Sequence, residues 1–263
     1  MANFATHLGW GAVGAGLAAS ATYAADVVPA GDLLTLTLAG VIGSVLPDID
    51  LEKAVPSRLL FTGLGLLLAF VVLFNFKATY SVTELWIIWL GVFASMRYGV
   101  FYLFHNNAVH RGIFHSLLAG VFFMTVTAII LAYALGREPV VAWMAGLFVF
   151  FGYVIHLMLD EIYSVDFVGA RIKRSFGSAL KLFDGRSPGS SLLMAGALMV
   201  ALMIAPPSAE FRKIMKPSEV TEFFRYRMFP QNGWFQSRVA SALALPQSHR
   251  TAEAAGEKPS RSE

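Results

Sequence analysis

The chain has 263 residues, 56% of them hydrophobic and 14% charged, with a net charge of +3 and no cysteine. Soluble domains carry about 25% charged residues, so an ordinary water-soluble globule is excluded, and a balance of +3 is too small to argue for nucleic acid. Without cysteine, disulfides and thiolate-held metals are excluded; any metal must be held by His, Asp or Glu, donors suited to zinc, manganese or iron.

The apolar residues come in long uncharged blocks rather than at one-face spacing. Leu59–Phe76, Leu85–Met96, Ile113–Leu135 and Val140–Leu159 approach or exceed the ~20 residues a bilayer span needs once their flanks are included. The predicted fold class is all-α: a polytopic, multi-pass helical membrane protein of about six to seven transmembrane helices, with a short, partly disordered C-terminal tail. A first span from His7 to Ala25 is rich in Gly and Ala, which favours close helix packing. It lacks the basic start of a secretory signal and is read as retained. The second begins near Leu33 and ends at "LPDID"; the third is Leu59–Phe76, the fourth Val82–Phe104, the fifth Ile113–Leu135 and the sixth Val140–Asp160. An uncharged segment around "SSLLMAGALMVALMIAPP" is the seventh. Residues 1–208 are thus expected to form the helical transmembrane domain, 209–245 a basic and aromatic interfacial tail, and 246–263 a disordered C-terminus.

Alternation of these spans brings His7, the two acids of "LPDID", the histidines of "HNNAVHRGIFHS" and the "HLMLD" motif to one membrane face. Loops on that face hold Lys53, Arg58, Arg111, Arg171, Lys173, Arg174, Lys181 and Arg186, against Lys77 and Arg137 on the other, which makes the cluster's face cytoplasmic. The basic tail beyond Arg212 conflicts with this if the seventh segment spans; a re-entrant or interfacial seventh segment removes the conflict.

Each cluster has its own chemistry. His156 and Asp160 stand four apart, on one face of a helix and one turn from each other, so an imidazole and a carboxylate can close on one cation. Asp48 and Asp50 follow Pro47; in an extended segment alternate residues point the same way, so both acids face one site. His110 and His115 are five apart, about 140° on a single helix, and converge with His110 in a loop and His115 in the first turn of the fifth span. Gly112 supplies the backbone freedom for that junction. Arg111 offers a forked cation for phosphate or carboxylate. His105, beside Asn106 and Asn107, also reads as an interfacial histidine. Taken singly, each cluster fits a solvated helix end too. Together the four imidazoles and three carboxylates outnumber the ligands of one tetrahedral zinc and point to a two-metal site that would clamp a phosphoester.

The ordered set "TH…G", "PDID", "HRGIFHS" and "HLMLD" resembles the YdjM family of inner-membrane proteins, commonly described as membrane-bound metal-dependent hydrolases, over roughly residues 5–170. That family is grouped with zinc-dependent phospholipase C and the single-strand-specific zinc nucleases, which are helical and hold three zinc ions. The resemblance implies that His7, Asp48, Asp50, His110, His115, His156 and Asp160 are metal ligands or their close supporters. The soluble enzymes use two His-x-x-x-Asp/Glu helices, whereas only "HLMLD" is evident here, so one or two divalent ions, zinc or manganese, are expected rather than three.

The functional expectation is a metal-dependent phosphoesterase acting on a lipid or lipid-linked substrate at the membrane face. Arg111 would steady a phosphate oxygen, and Asp48 or Asp50 would take the proton of the attacking water. The alternatives are a metal-binding transporter or sensor without hydrolytic activity, and a structural membrane protein whose His and Asp residues only cap helix ends. Transporters hold ligands near the midplane, and the clustering at span ends argues for surface chemistry. No "HExxH" is present, which disfavours a peptidase.

Overall fold

The computed structural model describes residues 3–51, 54–107, 112–166, 171–172, 180–226 and 228–229. His110 and Arg111, and Lys53, Lys173 and Arg174 of the basic loops, lie outside them. The chain divides into two compact units, Met1–Ile214 and Met215–Glu263.

The first unit is helical. It contains α1 (Phe4–Ala24), α2 (Leu33–Gly43), α3 (Val55–Phe76), α4 (Val82–Ala94), α5 (Phe101–Asn107), α6 (Leu117–Ile129), α7 (Pro139–Ile162), α8 (Pro188–Ile204) and α9 (Ala209–Ile214). A π-helical turn, Ser95–Val100, joins α4 to α5, and another, Ile130–Ala134, extends α6. The described β structure is a two-residue antiparallel pairing of Val165–Asp166 with Arg171–Ile172. In the second unit α10 (Pro217–Tyr226) places Val220, Phe223 and Phe224 at helical one-face spacing, with Glu219, Glu222 and Arg225 between them.

Among the described residues, four segments are long and apolar enough to cross a membrane: Val55–Phe76, Val82–Asn106, Leu117–Ala134 and Pro139–Ile162. The expected larger count rests on α1 and on two shorter apolar helices, Ala30–Gly43 and Pro188–Ile204. The 11 residues of α2 reach only about 16 Å at 1.5 Å per residue, half a bilayer's hydrocarbon thickness. Pro47 begins a 3₁₀ turn, Leu46–Asp50, that ends the run early.

α7 is the centre of the unit. Of its apolar window 67% is buried, against 17% for α3 and none for Val82–Asn106. It packs on α1, α2, α6 and α9, with Ala15, Leu36, Ala39, Ala145, Phe148, Val149 and Leu157 in one apolar core. The crossing of α2 and α7 is at backbone contact. A Cβ on Gly152 would run into the Gly40 carbonyl and the Ser44 nitrogen, and one on Gly43 into the backbone of Val149. Small residues at such a crossing give tight packing where lipid offers no hydrophobic drive. Here the close approach also sets the C-terminal end of α2 against His156. At the opposite end Arg137 bonds Asp32 at 3.2 Å, tying the α6–α7 connection to the start of α2. α9 is tied to α7 through Trp143, whose indole donates to the Pro206 carbonyl and stacks on Phe211.

α3 and the α4–α5 helix form a hairpin. Its seam is Ser57, Phe61, Gly65 and Ala69, spaced by four on α3, against Phe93, Met96, Phe101, Phe104 and His105. Most other hairpin side chains, among them Leu59, Leu67, Phe74, Trp86, Ile87 and Leu90, face outward, as apolar residues do toward lipid.

Candidate metal centre

Asn3 caps α1 by accepting from the Thr6 amide at 2.8 Å, which places His7 in the first turn of that helix. His156 and Asp160 lie one turn apart near the C-terminal end of α7, as their spacing predicts. Asp48 and Asp50 sit in the 3₁₀ turn rather than in an extended strand, so alternation does not aim them together. Instead they reach the two opposite nitrogens of one ring. His115 Nε2 is 3.8 Å from Asp48 Oδ1, and His115 Nδ1 is 3.7 Å from Asp50 Oδ2. His115 itself precedes α6 rather than lying in its first turn, because Ser116 is the N-cap, accepting from the Ala119 amide at 3.3 Å.

These side chains form a chain of close imidazole–carboxylate pairs. His7 Nε2 is 3.4 Å from Asp160 Oδ1, His115 Nε2 is 3.7 Å from Asp160 Oδ2, and His156 Nε2 is 3.6 Å from Asp48 Oδ1. The separations exceed the ~2.8 Å of a charge-assisted hydrogen bond. They lie near the edge of a tetrahedron with 2.0–2.1 Å metal bonds, about 3.3 Å. Two sets, His7 with His156 and Asp160, and Asp48 with His115 and His156, have donor atoms close enough to share an ion. Because His156 Nε2 has one lone pair, it serves one ion only, while Asp160 presents one oxygen to His7 and the other to His115.

The surroundings favour a cation there. His7, His115, His156 and Asp160 are at most 1% exposed, and Asp50 is also buried. Only Asp48, with a side chain 17% exposed, reaches the outside. Carboxylates buried this deeply need positive charge beside them. The rings of His7 and His156 stack at 3.7 Å, 12° from parallel, an arrangement suited to two neutral donors turned toward a shared cation, since two imidazolium rings would repel. His156 Nδ1 donates to the Ser44 carbonyl at 2.8 Å, which leaves Nε2 as the lone-pair donor. This is the usual support of a metal-binding histidine; the Asp50 carboxylate lies on the corresponding side of His115, 3.7 Å from Nδ1 and beyond hydrogen-bond distance.

Two residues that position the centre are not apparent from motif reading. Tyr153, one turn before His156 on α7, donates its buried hydroxyl to the Phe114 carbonyl and pins the turn that carries His115. Its spacing from His156 was the available signal, because residues three apart on a helix are neighbours. Ser116 Oγ adds a bond to the Ile113 carbonyl at 2.5 Å, and α6 receives further caps from the Lys181 and Leu182 carbonyls. His105 is a clamp rather than a ligand. Its Nε2 lies 2.8 Å from Ser57 Oγ and 3.1 Å from the Ile49 carbonyl, between the two acids, while Nδ1 donates to the Phe101 carbonyl. Tyr153→Phe is expected to leave a buried carbonyl without its donor, lowering stability by about 1–3 kcal/mol, and to weaken metal binding by loosening His115. Thermal unfolding and metal titration of the same sample check both effects.

The family model described as YdjM inner membrane protein matches residues 1–169, which take in every helix that contributes a side chain to the centre. No curated protein and no solved structure matches the chain.

Proposed function

The chain belongs to the YdjM inner membrane protein family, and from that premise we propose that it is a multi-pass, membrane-embedded metal-dependent hydrolase, a phosphoesterase acting on a lipid or lipid-linked substrate. One observation carries the reading: imidazole and carboxylate atoms from α1, the acidic turn, the α6 entry and α7 pair at 3.4–3.8 Å and form two donor sets that meet at His156. The donor set, nitrogen and oxygen without sulfur, fits one or two ions of zinc or manganese. A bound divalent ion supplies neutralising charge for a phosphoryl oxygen and acidifies water. The chain's own residues do the rest. Asp160 and His156 hold the centre from α7, and Asp50 orients His115. Asp48, at the exposed rim, is placed to accept a proton from an incoming water. Arg111, next to the turn that carries His115, is proposed to bind a phosphate oxygen. We place the centre's face on the cytoplasmic side, from the basic loops around it.

A second reading, a metal-binding transporter or sensor without hydrolysis, draws on the burial of every described candidate ligand but Asp48, which resembles a closed site. The test is hydrolysis of phospholipids and lipid-linked phosphoesters by the detergent-purified full chain, before and after chelation and refilling with zinc or manganese. Turnover lost on chelation and restored by one metal is the expected result. Stoichiometric metal without turnover on any phosphoester would favour the transporter or sensor.

A further inference from the structure

Arg97 lies inside the membrane-length segment Val82–Asn106, in the π-helical turn between α4 and α5. The 25 residues of that segment span about 37 Å, against ~30 Å of hydrocarbon. Arg97 stands nine residues before Asn106, about 13 Å along the axis. With all the excess length at the Asn106 end, it falls several ångströms inside the hydrocarbon. That end carries the metal centre, since His105 touches the Ile49 carbonyl between Asp48 and Asp50.

No carboxylate among the described residues forms an ion pair with Arg97. Its guanidinium lies over the rings of Phe101 at 5.0 Å and Tyr98 at 5.4 Å. Ring faces offset part of the cost of an intramembrane cation but leave its forked N–H donors without an acceptor. Beside it Tyr98 and Tyr102, one turn apart, are each 67% exposed and so present their phenols to the surrounding lipid, as interfacial aromatics do. The π turn widens the helix here, a distortion often found at functional positions.

We propose that Arg97, flanked by Tyr98 and Tyr102, is a binding site for the phosphate of a membrane phospholipid in the leaflet on the metal-centre side. A cation without a partner at this depth calls for an anion that reaches the edge of the hydrocarbon, and the lipid phosphate does. Guanidinium takes it by two parallel N–H bonds, and the phenols add donors. The site stands independently of the hydrolase reading. If that reading holds, this lipid is bound one helix segment away from the centre.

The probes are phosphatidylglycerol and diacylglycerol of the same acyl chains, titrated into the intact full chain and followed by native mass spectrometry. Wild type is expected to bind its first phosphatidylglycerol about tenfold or more tighter than diacylglycerol, the size of one charge-assisted contact. Arg97→Gln is expected to remove most of that preference and Arg97→Lys part of it. His156→Ala/Asp160→Ala is expected to keep it, which separates this site from the metal centre. Three results overturn the proposal: no preference for phosphate in wild type; a preference unchanged in Arg97→Gln of equal thermal stability, which assigns the lipid to the basic loops; or a dimer dissociated by Arg97→Gln, which assigns the cation to a second copy's carboxylate. Should Arg97→Gln not fold, the Arg97→Lys comparison decides, an unchanged preference again overturning the site.

Discussion

Replacing His156 and Asp160 together by alanine is expected to strip the protein of metal. Wild type purified in detergent, or refilled at neutral pH, should carry about one to two equivalents of zinc or manganese, and the double variant close to none. The reason is geometric. His156 belongs to both sets of donors that could share an ion, and Asp160 is the carboxylate that faces His7 on one side and His115 on the other. Without them the carboxylate that links His7 to His115 is gone, and Asp48 loses one of the two imidazoles it faces. The fold should persist. Both side chains lie near the C-terminal end of α7, while most of its apolar packing, Ala142, Ala145, Phe148 and Val149, is further toward the start of the helix, and Leu157 beside them is untouched. The Ser44 carbonyl loses its donor, a cost of about 1–3 kcal/mol. Metal content by mass spectrometry, beside helicity and thermal unfolding, reads both halves of the expectation. Metal kept by a folded double variant would place the ion elsewhere. No metal in wild type after refilling would remove the basis for any hydrolytic chemistry.

What could be read without coordinates was what has a short period. The i, i+4 spacing of His156 and Asp160 translates into one helix face whatever the tertiary fold, and the structure has them so. Grouping His7, the acids and His115 with that pair followed from span alternation, although among the described residues only four helical segments are both long and apolar enough to span; the ends that meet do so through other helices as well. The acids lie beside the centre, but not in the extended conformation expected of them. A 3₁₀ turn after Pro47 brings them to opposite nitrogens of His115, a placement set by α6 and α7 and invisible in five residues of local sequence. Support by the Ser44 carbonyl and by Tyr153 is equally tertiary. The first depends on Gly40 and Gly152 letting two backbones touch, and the second on a turn packed against α7. The interfacial reading of His105 kept it out of the ligand set, but its clamp on Ile49 required the α3 hairpin to be placed first.

Because Asp48 and Asp50 face opposite nitrogens of one imidazole, their amide variants are expected to fail differently. Asp50 lies 3.7 Å from His115 Nδ1, the side turned away from Asp48 and Asp160, and is placed to act through that ring. Asp50→Asn is therefore expected to keep the metal but hold it about 10–100-fold more weakly, the usual effect of losing a ligand's supporting carboxylate. Activity should return when metal is added in excess. Asp48 Oδ1 faces the Nε2 atoms of both His115 and His156, and among the described candidate ligands its side chain alone reaches the outside. Asp48→Asn keeps the shape of the side chain but removes both a charged donor and the group placed to accept a proton from water. Hydrolysis is expected to stay lost at saturating metal, by about 100-fold or more. Chelator competition on each variant, followed by phosphoester turnover at excess metal, separates the two. Rescue of Asp48→Asn by metal alone would assign the proton transfer to another group. Failure to rescue Asp50→Asn would move that acid from the support of His115 into the reaction itself.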